Sequence, residues 1–172
     1  IIFSSNIAFS SSFNSPKIKL KNPSAIVKSY NMFVKNYDEI ENIIKKEHID
    51  IVICAADTPF LDIRIFILEA CISCKVPCIF GGVSILTGQY GPTFLNSKKM
   101  SLYLKKLNKI KKEVKCNNTN KSSFGPTNTI ISAYMSIDII MTLLNIRKSI
   151  NSLNKIKTLN FITRKDYEEE RF

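Results

Sequence analysis

The feature that most restricts the fold is a strand, helix and strand pattern between residues 49 and 85. The run IDIVIC at residues 49–54 is almost wholly apolar, as in a strand that is covered on both faces of a parallel sheet. Residues 60–74 place apolar side chains at helical spacing, and VPCIFGGVSI at residues 76–85 is again rich in strand-forming residues. The three segments have the length of a parallel crossover. The sequence therefore predicts an α/β fold.

Weaker patterns extend this unit in both directions. The other predicted elements are, in chain order, a strand within residues 25–34, a helix from Asp38, antiparallel strands near residues 80–95, a basic amphipathic helix over residues 98–115, an apolar helix from Phe124 and a strand at residues 156–163. Closely spaced glycines predict turns near Gly88 and Gly91. At 172 residues, the chain has room for one domain with a core, and its length gives no reason to expect two.

The composition limits the classes of function. The net charge is +11, but only four of the 25 basic residues are arginines. Arginine is the residue suited to phosphate recognition, and the chain carries no nucleic-acid-binding motif, so we expect no nucleic-acid partner. The longest apolar stretch, residues 130–144, contains Ser132, Ser136 and Asp138, which disfavours a membrane span. The five cysteines are an odd number, and free thiols fit a reducing cytoplasm.

Several common site types are disfavoured by the positions of glycine, histidine and cysteine. All five glycines lie at or after Gly81, and none of them forms the pattern of a Gly-rich phosphate loop, so residues 1–172 contain no such loop. The one histidine, His48, lies among charged residues without a placed nucleophile, and we expect a solvated surface side chain rather than a catalytic base. Cys71, Cys74 and Cys78 have a spacing that suggests metal, but they fall on a helix and a strand, so buried thiols are the favoured interpretation.

Asp57 is the strongest candidate for a functional residue. It follows the buried strand at the edge where open α/β sheets bind their ligands. A carboxylate at that edge can hold Mg²⁺ bound to nucleotide phosphates. The structural alternative, which the pattern alone favours, is that Asp57 caps a helix beginning at Pro59.

The basic stretch at residues 98–115 also has two interpretations. The simpler one is a helix with solvated lysines. The functional one is a mobile element whose lysines meet an acidic peptide or partner.

Three segments resemble the ThiF, MoeB and MccB family of ubiquitin-activating-type adenylyltransferases, with the MccB-like branch nearest. They are IDIVICAADTP at residues 49–59, EACISCKVPCIFGGVSILTGQYGPTFL at residues 69–95 and FGPTNTIISAYMSIDII at residues 124–140. The resemblance extends over roughly residues 20–162, and the order of the three segments makes it specific.

This resemblance implies a Rossmann-like, mostly parallel sheet with helices on both faces. It also implies that the protein binds Mg-ATP and adenylates a carboxylate, commonly that of a peptide or small carrier protein, usually as a homodimer. The family's magnesium-coordinating Asp falls on Asp57. The nucleotide-binding segment implied here is Ala56, Asp57, Thr58 and Pro59.

Three further expectations come from comparison with the family pattern. Ser101 and Leu104 stand where many members begin a structural zinc site, so we expect no zinc. The family's Gly-rich loop, acidic ribose-binding residue and Arg finger precede the matching region, so residues 1–172 are expected to form a single partial adenylation domain, with a mobile crossover segment around residues 98–123. The alternative is a degenerate relative that keeps the fold for peptide binding or dimerisation.

Overall fold

The computed structural model describes residues 2–4, 7–9, 23–24, 26–30, 32–56, 61–113, 124–163 and 165–172. The strands are β1 (Ile2–Ser4), β2 (Ile7–Phe9), β3 (Ile26–Lys28), β4 (Ile51–Cys54), β5 (Cys78–Val83), β6 (Thr87–Phe94), β7 (Lys155–Asn160) and β8 (Lys165–Arg171). The helices are α1 (Tyr37–Lys46), α2 (Asp62–Cys74), α3 (Ser97–Glu113) and α4 (Gly125–Leu143), with a 3₁₀ turn at Arg147–Ser149. No helix in these ranges is both long and apolar enough to cross a bilayer.

The strands form one mixed sheet in the order β3-β2-β1-β4-β5-β6-β7-β8. The pairs β2–β3 and β4–β5 are parallel, and the other described pairs are antiparallel. The predicted α/β class, the helices on both faces and the antiparallel strands near residues 80–95 are confirmed. The parallel share is smaller than predicted, in part because β5–β6 and β7–β8 follow one another directly in the chain, and short connections such as 84–86 join only antiparallel strands.

The two faces of β4 and β5 belong to two separate apolar clusters. Val52, Cys54 and Phe80 pack with α1, α2 and α3 on one face. Ile53 and Ile79 pack with α4 on the other face. All four residues of β4 are buried, because alternate side chains of a strand point to opposite faces and both faces are covered.

Glycines in β5 and β6 allow α4 to approach the sheet closely. A Cβ at Gly81 would lie 2.3 Å from Met135 Sδ, and one at Gly88 would lie 2.4 Å from Ile131 Cγ1. The prediction of turns near Gly88 and Gly91 was wrong: both residues lie within β6, and the turn is at residues 84–86. Gly88 allows the close contact with Ile131 instead. Gly91 has a φ of +81°, a backbone conformation that favours glycine.

Most other element predictions are confirmed. The helix near Asp38, the basic amphipathic helix, the apolar helix and the strand after residue 155 are all present. The strand predicted within residues 25–34 has only three residues, in β3, which lies at the sheet margin. The basic helix α3 buries Met100, Tyr103 and Leu107, whereas residues 114–123 of the expected crossover segment lie outside the described residues.

Candidate functional site

The candidate site lies beyond the carboxyl ends of β4 and β5. Their parallel pairing matches Val52 with Cys78 and Cys54 with Phe80, so both strands end at the same edge of the sheet. Two small exposed residues, Ala55 and Ala56, follow β4. The chain thus leaves a buried interior strand at the edge where open α/β sheets bind ligands.

The predicted nucleotide-binding residues follow directly. Ala56 is described and exposed. Asp57, Thr58 and Pro59 lie outside the described residues, so their role in holding ATP and Mg²⁺ remains a prediction.

The start of α2 lies later in the chain than predicted. The helix begins at Asp62, and its N-cap position is Leu61, which makes no side-chain capping hydrogen bond. The predicted helix start at Pro59 is therefore wrong for α2, whereas Asp57 itself lies outside the described residues, so both interpretations of its role remain predictions. Leu61 holds a φ of 59°, so the chain turns sharply into the helix at that residue.

Arg64, in the first turns of α2, brings a cation to this edge of the sheet. Its Nη2 donates to the Gly81 carbonyl at 2.9 Å, and its guanidinium carbon lies 5.9 Å from the centre of the Phe80 ring. An added Cβ at Gly82 would lie 3.1 Å from Arg64 Nη2, so the missing side chain leaves room for the guanidinium. The sequence analysis missed Arg64, although an arginine seven residues after Asp57 on the predicted helix was a visible signal.

Tyr103 connects α3 to the same region. Burial raises the pKa of the Tyr103 hydroxyl, while the neighbouring Arg64 charge opposes that rise. The ring also packs edge-on against Phe80, with 5.7 Å between ring centres. Arg64 and Tyr103 thus attach α2 and α3 to the middle of β5.

A second attachment joins the far end of α3 to the start of α2. Lys111 forms an ion pair with Asp62, the first residue of α2. The C-terminal end of α3 therefore lies at the same end of the sheet as the candidate site. Ser101 and Leu104, which the resemblance aligns with the start of a zinc site, lie within α3, where the Ser101 hydroxyl donates to the Ser97 carbonyl at 2.8 Å.

Asp138 forms a buried polar network on the opposite face of the sheet. It is 1% exposed and accepts hydrogen bonds from the backbone N–H groups of Asn151, at 2.8 Å, and Ser152, at 2.9 Å. The Ser152 hydroxyl lies 2.5 Å from Asp138 Oδ2 and 2.8 Å from Thr93 Oγ1. The network joins α4 to the segment before β7. The sequence analysis noted Asp138 only as a polar interruption of an apolar run.

The cysteines and the histidine agree with the simpler interpretations. Cys71 and Cys78 are buried free thiols, and burial, followed by a hydrogen bond with Cys71, raises the pKa of the Cys78 thiol well above its usual value. Cys74 is partly buried. His48 is exposed, as expected of a solvated surface side chain.

One face of α4 leaves large apolar side chains in solvent. Ile137 and Ile140 are about half exposed, at 50% and 51%, and Leu144, the residue that caps the end of α4, is 61% exposed. Their spacing of three and four residues puts them on one side of the helix. A stripe of this kind is typical of a surface that meets another protein.

The model of the ThiF family matches residues 15–171 of the chain. No curated protein matches the sequence of this chain.

Three solved structures show the same fold. Escherichia coli MccB with ATP superposes with a TM-score of 0.68 at 18% identity, covering 91% of this chain and 46% of that one. MccB, the microcin C7 biosynthetic enzyme, in complex with N-formylated MccA gives 0.68 at 16% identity, with 91% and 47% coverage. PaaA gives 0.68 at 15% identity, with 91% and 53% coverage. The chain spans about half the length of these structures.

Proposed function

The chain belongs to the ThiF family, and we propose that the full-length protein containing it uses ATP to adenylate a carboxylate of a peptide or small carrier protein. The observation that carries the proposal is the buried parallel pair β4–β5, which ends at the segment carrying Asp57. That edge is where an α/β sheet binds nucleotides. The similarity in fold to MccB, which was solved with ATP, supports ATP as the nucleotide.

The residues at this edge fit a magnesium-nucleotide complex. Ala55 and Ala56 place no bulky side chain at the strand end. A carboxylate at Asp57 supplies the oxygen ligand that Mg²⁺ prefers. When bound, Mg²⁺ neutralises phosphate charge. Thr58 and Pro59 complete the segment that would line the nucleotide.

The chemistry requires positioning more than a protein nucleophile. The substrate carboxylate oxygen forms a bond to the α-phosphorus of ATP, the bond to pyrophosphate breaks, and the products are the acyl-adenylate and pyrophosphate. Asp57 would hold the triphosphate in line for this attack. Arg64 would keep the adjacent end of β5 in place through its bond to the Gly81 carbonyl.

We further propose that the protein is a homodimer that works in the cytoplasm. The apolar stripe on α4, with Ile137, Ile140 and Leu144 exposed, supports a second copy as the partner, because exposed apolar stripes of this kind are typical of interfaces. The free thiols support a reducing compartment. Sedimentation of the full-length protein tests the dimer: the wild type should sediment as a dimer and Ile137→Asp as a monomer.

ATP–pyrophosphate exchange by the full-length protein tests the adenylation proposal. Each candidate peptide or carrier is added with Mg²⁺, and labelled pyrophosphate should enter ATP only when a substrate carboxylate is present. Asp57→Ala should lower the exchange rate by about a hundredfold or more, comparable to the loss of one preorganised electrostatic contact. Asp50→Asn, at an exposed position just before β4, is the matched control and should retain the rate.

The alternative is a degenerate module that binds peptides or dimerises without catalysis. Exchange that stays at background with every peptide, in a protein that still dimerises, would support this alternative. Exchange that survives Asp57→Ala unchanged would remove Asp57 from the mechanism.

A further inference from the structure

The outer surface of α3 carries a row of exposed lysines. The helix buries Met100, Tyr103 and Leu107 against the core. On the opposite side, the exposed positions Lys98, Leu102, Lys105, Lys109 and Lys112 follow one another at alternating separations of four and three residues. This spacing keeps them on one face of the helix. The lysine stripe is defined here as Lys98, Lys105, Lys109 and Lys112.

The other lysines of α3 have partners within the fold. Lys99 Nζ donates to the Phe172 carbonyl at 2.8 Å, and Lys106 Nζ lies 4.9 Å from the centre of the Phe172 ring. Lys111 pairs with Asp62. These three side chains help to attach the helix to its surroundings.

Among the described residues, the stripe has few acidic neighbours. In the part of the chain that the structure describes, the one ion pair involving the stripe joins Lys109 and Glu113, with 3.9 Å between Lys109 Nζ and Glu113 Oε1, and both side chains are largely exposed. A pair this open contributes little. The positive charge of the stripe therefore remains available to a partner.

We propose that the lysine stripe docks an acidic segment of the polypeptide substrate, an inference that rests on the proposed function. Each lysine presents a compact point charge that can pair with one carboxylate, and the substrate of the proposed reaction is a polypeptide, so an acidic segment of that polypeptide is the occupant that matches the charge of the stripe. At 1.5 Å per residue, the stripe is about 21 Å long. An extended peptide of about seven residues covers that length. Leu102, which is 47% exposed, adds an apolar contact in the row.

The position of the stripe relates this docking to the reaction. The Lys111–Asp62 ion pair holds the C-terminal end of α3 against the first residue of α2. The helix α2 starts shortly after the segment that carries Asp57. An acidic segment lying along α3 would therefore keep the substrate polypeptide near the nucleotide edge and raise the local concentration of its reactive carboxyl group.

Fluorescence anisotropy with the full-length protein tests this inference. The probe is a labelled peptide of about ten residues with glutamate at alternate positions. Replacing the four lysines of the stripe by glutamine should weaken its binding about tenfold or more, and raising the salt concentration should weaken wild-type binding in the same direction. The matched control removes the same charge at four exposed lysines elsewhere, Lys35, Lys46, Lys75 and Lys148, and should retain most of the affinity.

Each outcome of this test supports or overturns the docking proposal. Equal losses in the stripe variant and in the control would reduce the effect to net charge and overturn it. A DNA duplex of equal charge that binds the stripe more tightly than the peptide would overturn it in favour of a nucleic-acid surface. Stripe-dependent peptide binding without pyrophosphate exchange would retain the docking surface and refute adenylation, so the two failures are distinguishable.

Discussion

Replacing Asp138 by alanine should destabilise the protein strongly, although the residue lies away from the candidate site. The substitution leaves the backbone N–H groups of Asn151 and Ser152 without their acceptor. A buried donor without a partner costs about 1–3 kcal/mol, which applies in full to Ser152, whereas Asn151 is exposed and its N–H can be hydrated. The two losses together lower the free energy of unfolding by about 1–4 kcal/mol. The Ser152 hydroxyl keeps Thr93 Oγ1 as a partner, at 2.8 Å, and adds little to this loss.

Urea unfolding followed by far-ultraviolet circular dichroism measures the effect, because the chain has no tryptophan to report on it. The midpoint should fall while the slope with urea stays constant. Asp138→Asn keeps one acceptor oxygen and should lose about half as much, which covers the case in which the alanine variant fails to fold. Ser136→Ala, on the exposed side of the same helix, should change stability by about 0.5 kcal/mol or less. A loss below about 1 kcal/mol for Asp138→Ala would refute the reasoning.

Two further predictions concern the packing of α4 and the acid sensitivity of the fold. Gly88→Ala should cost about 1–3 kcal/mol in urea unfolding, because its Cβ would lie 2.4 Å from Ile131, whereas Gly125→Ala, with open space around it, should cost nothing. The hydrogen bond from Lys28 lowers the pKa of Glu47 in the folded protein. The stabilisation that ionised Glu47 gives the fold is therefore present above its unfolded pKa of about 4.3, and it is lost as the pH falls through the lower pKa of the folded state. Glu47→Gln should therefore flatten the fall of Tm between about pH 5 and 3; an unchanged profile would contradict this.

The central unit of the fold could be predicted because its pattern is local. The apolar run of β4 and the helical spacing of α2 leave little choice of element, and their order predicts the parallel pair with β5. The extent of antiparallel pairing was harder to predict because it depends on which strands meet across the sheet. Gly88 shows the difficulty: its signal is typical of a turn, but it serves the contact with Ile131.

The candidate site was predictable only where its residues follow each other in the chain. The segment from Ala56 to Pro59 comes directly after β4 and could be found in this way. Arg64 could be placed near this segment by its position in the chain, but the partners of Arg64 and Asp138 could not be predicted, because they lie 17 and 13–14 residues away. A polar residue on a predicted helix gives no indication of which distant backbone group it meets.

Calorimetric titration of ATP into the full-length protein, with and without Mg²⁺, tests most directly whether the carboxyl end of β4 holds a magnesium nucleotide. The account predicts that Mg²⁺ tightens ATP binding about tenfold or more in the wild type and has little effect in Asp57→Ala, since the metal would then lack its protein ligand. Equal tightening by Mg²⁺ in both proteins would contradict it.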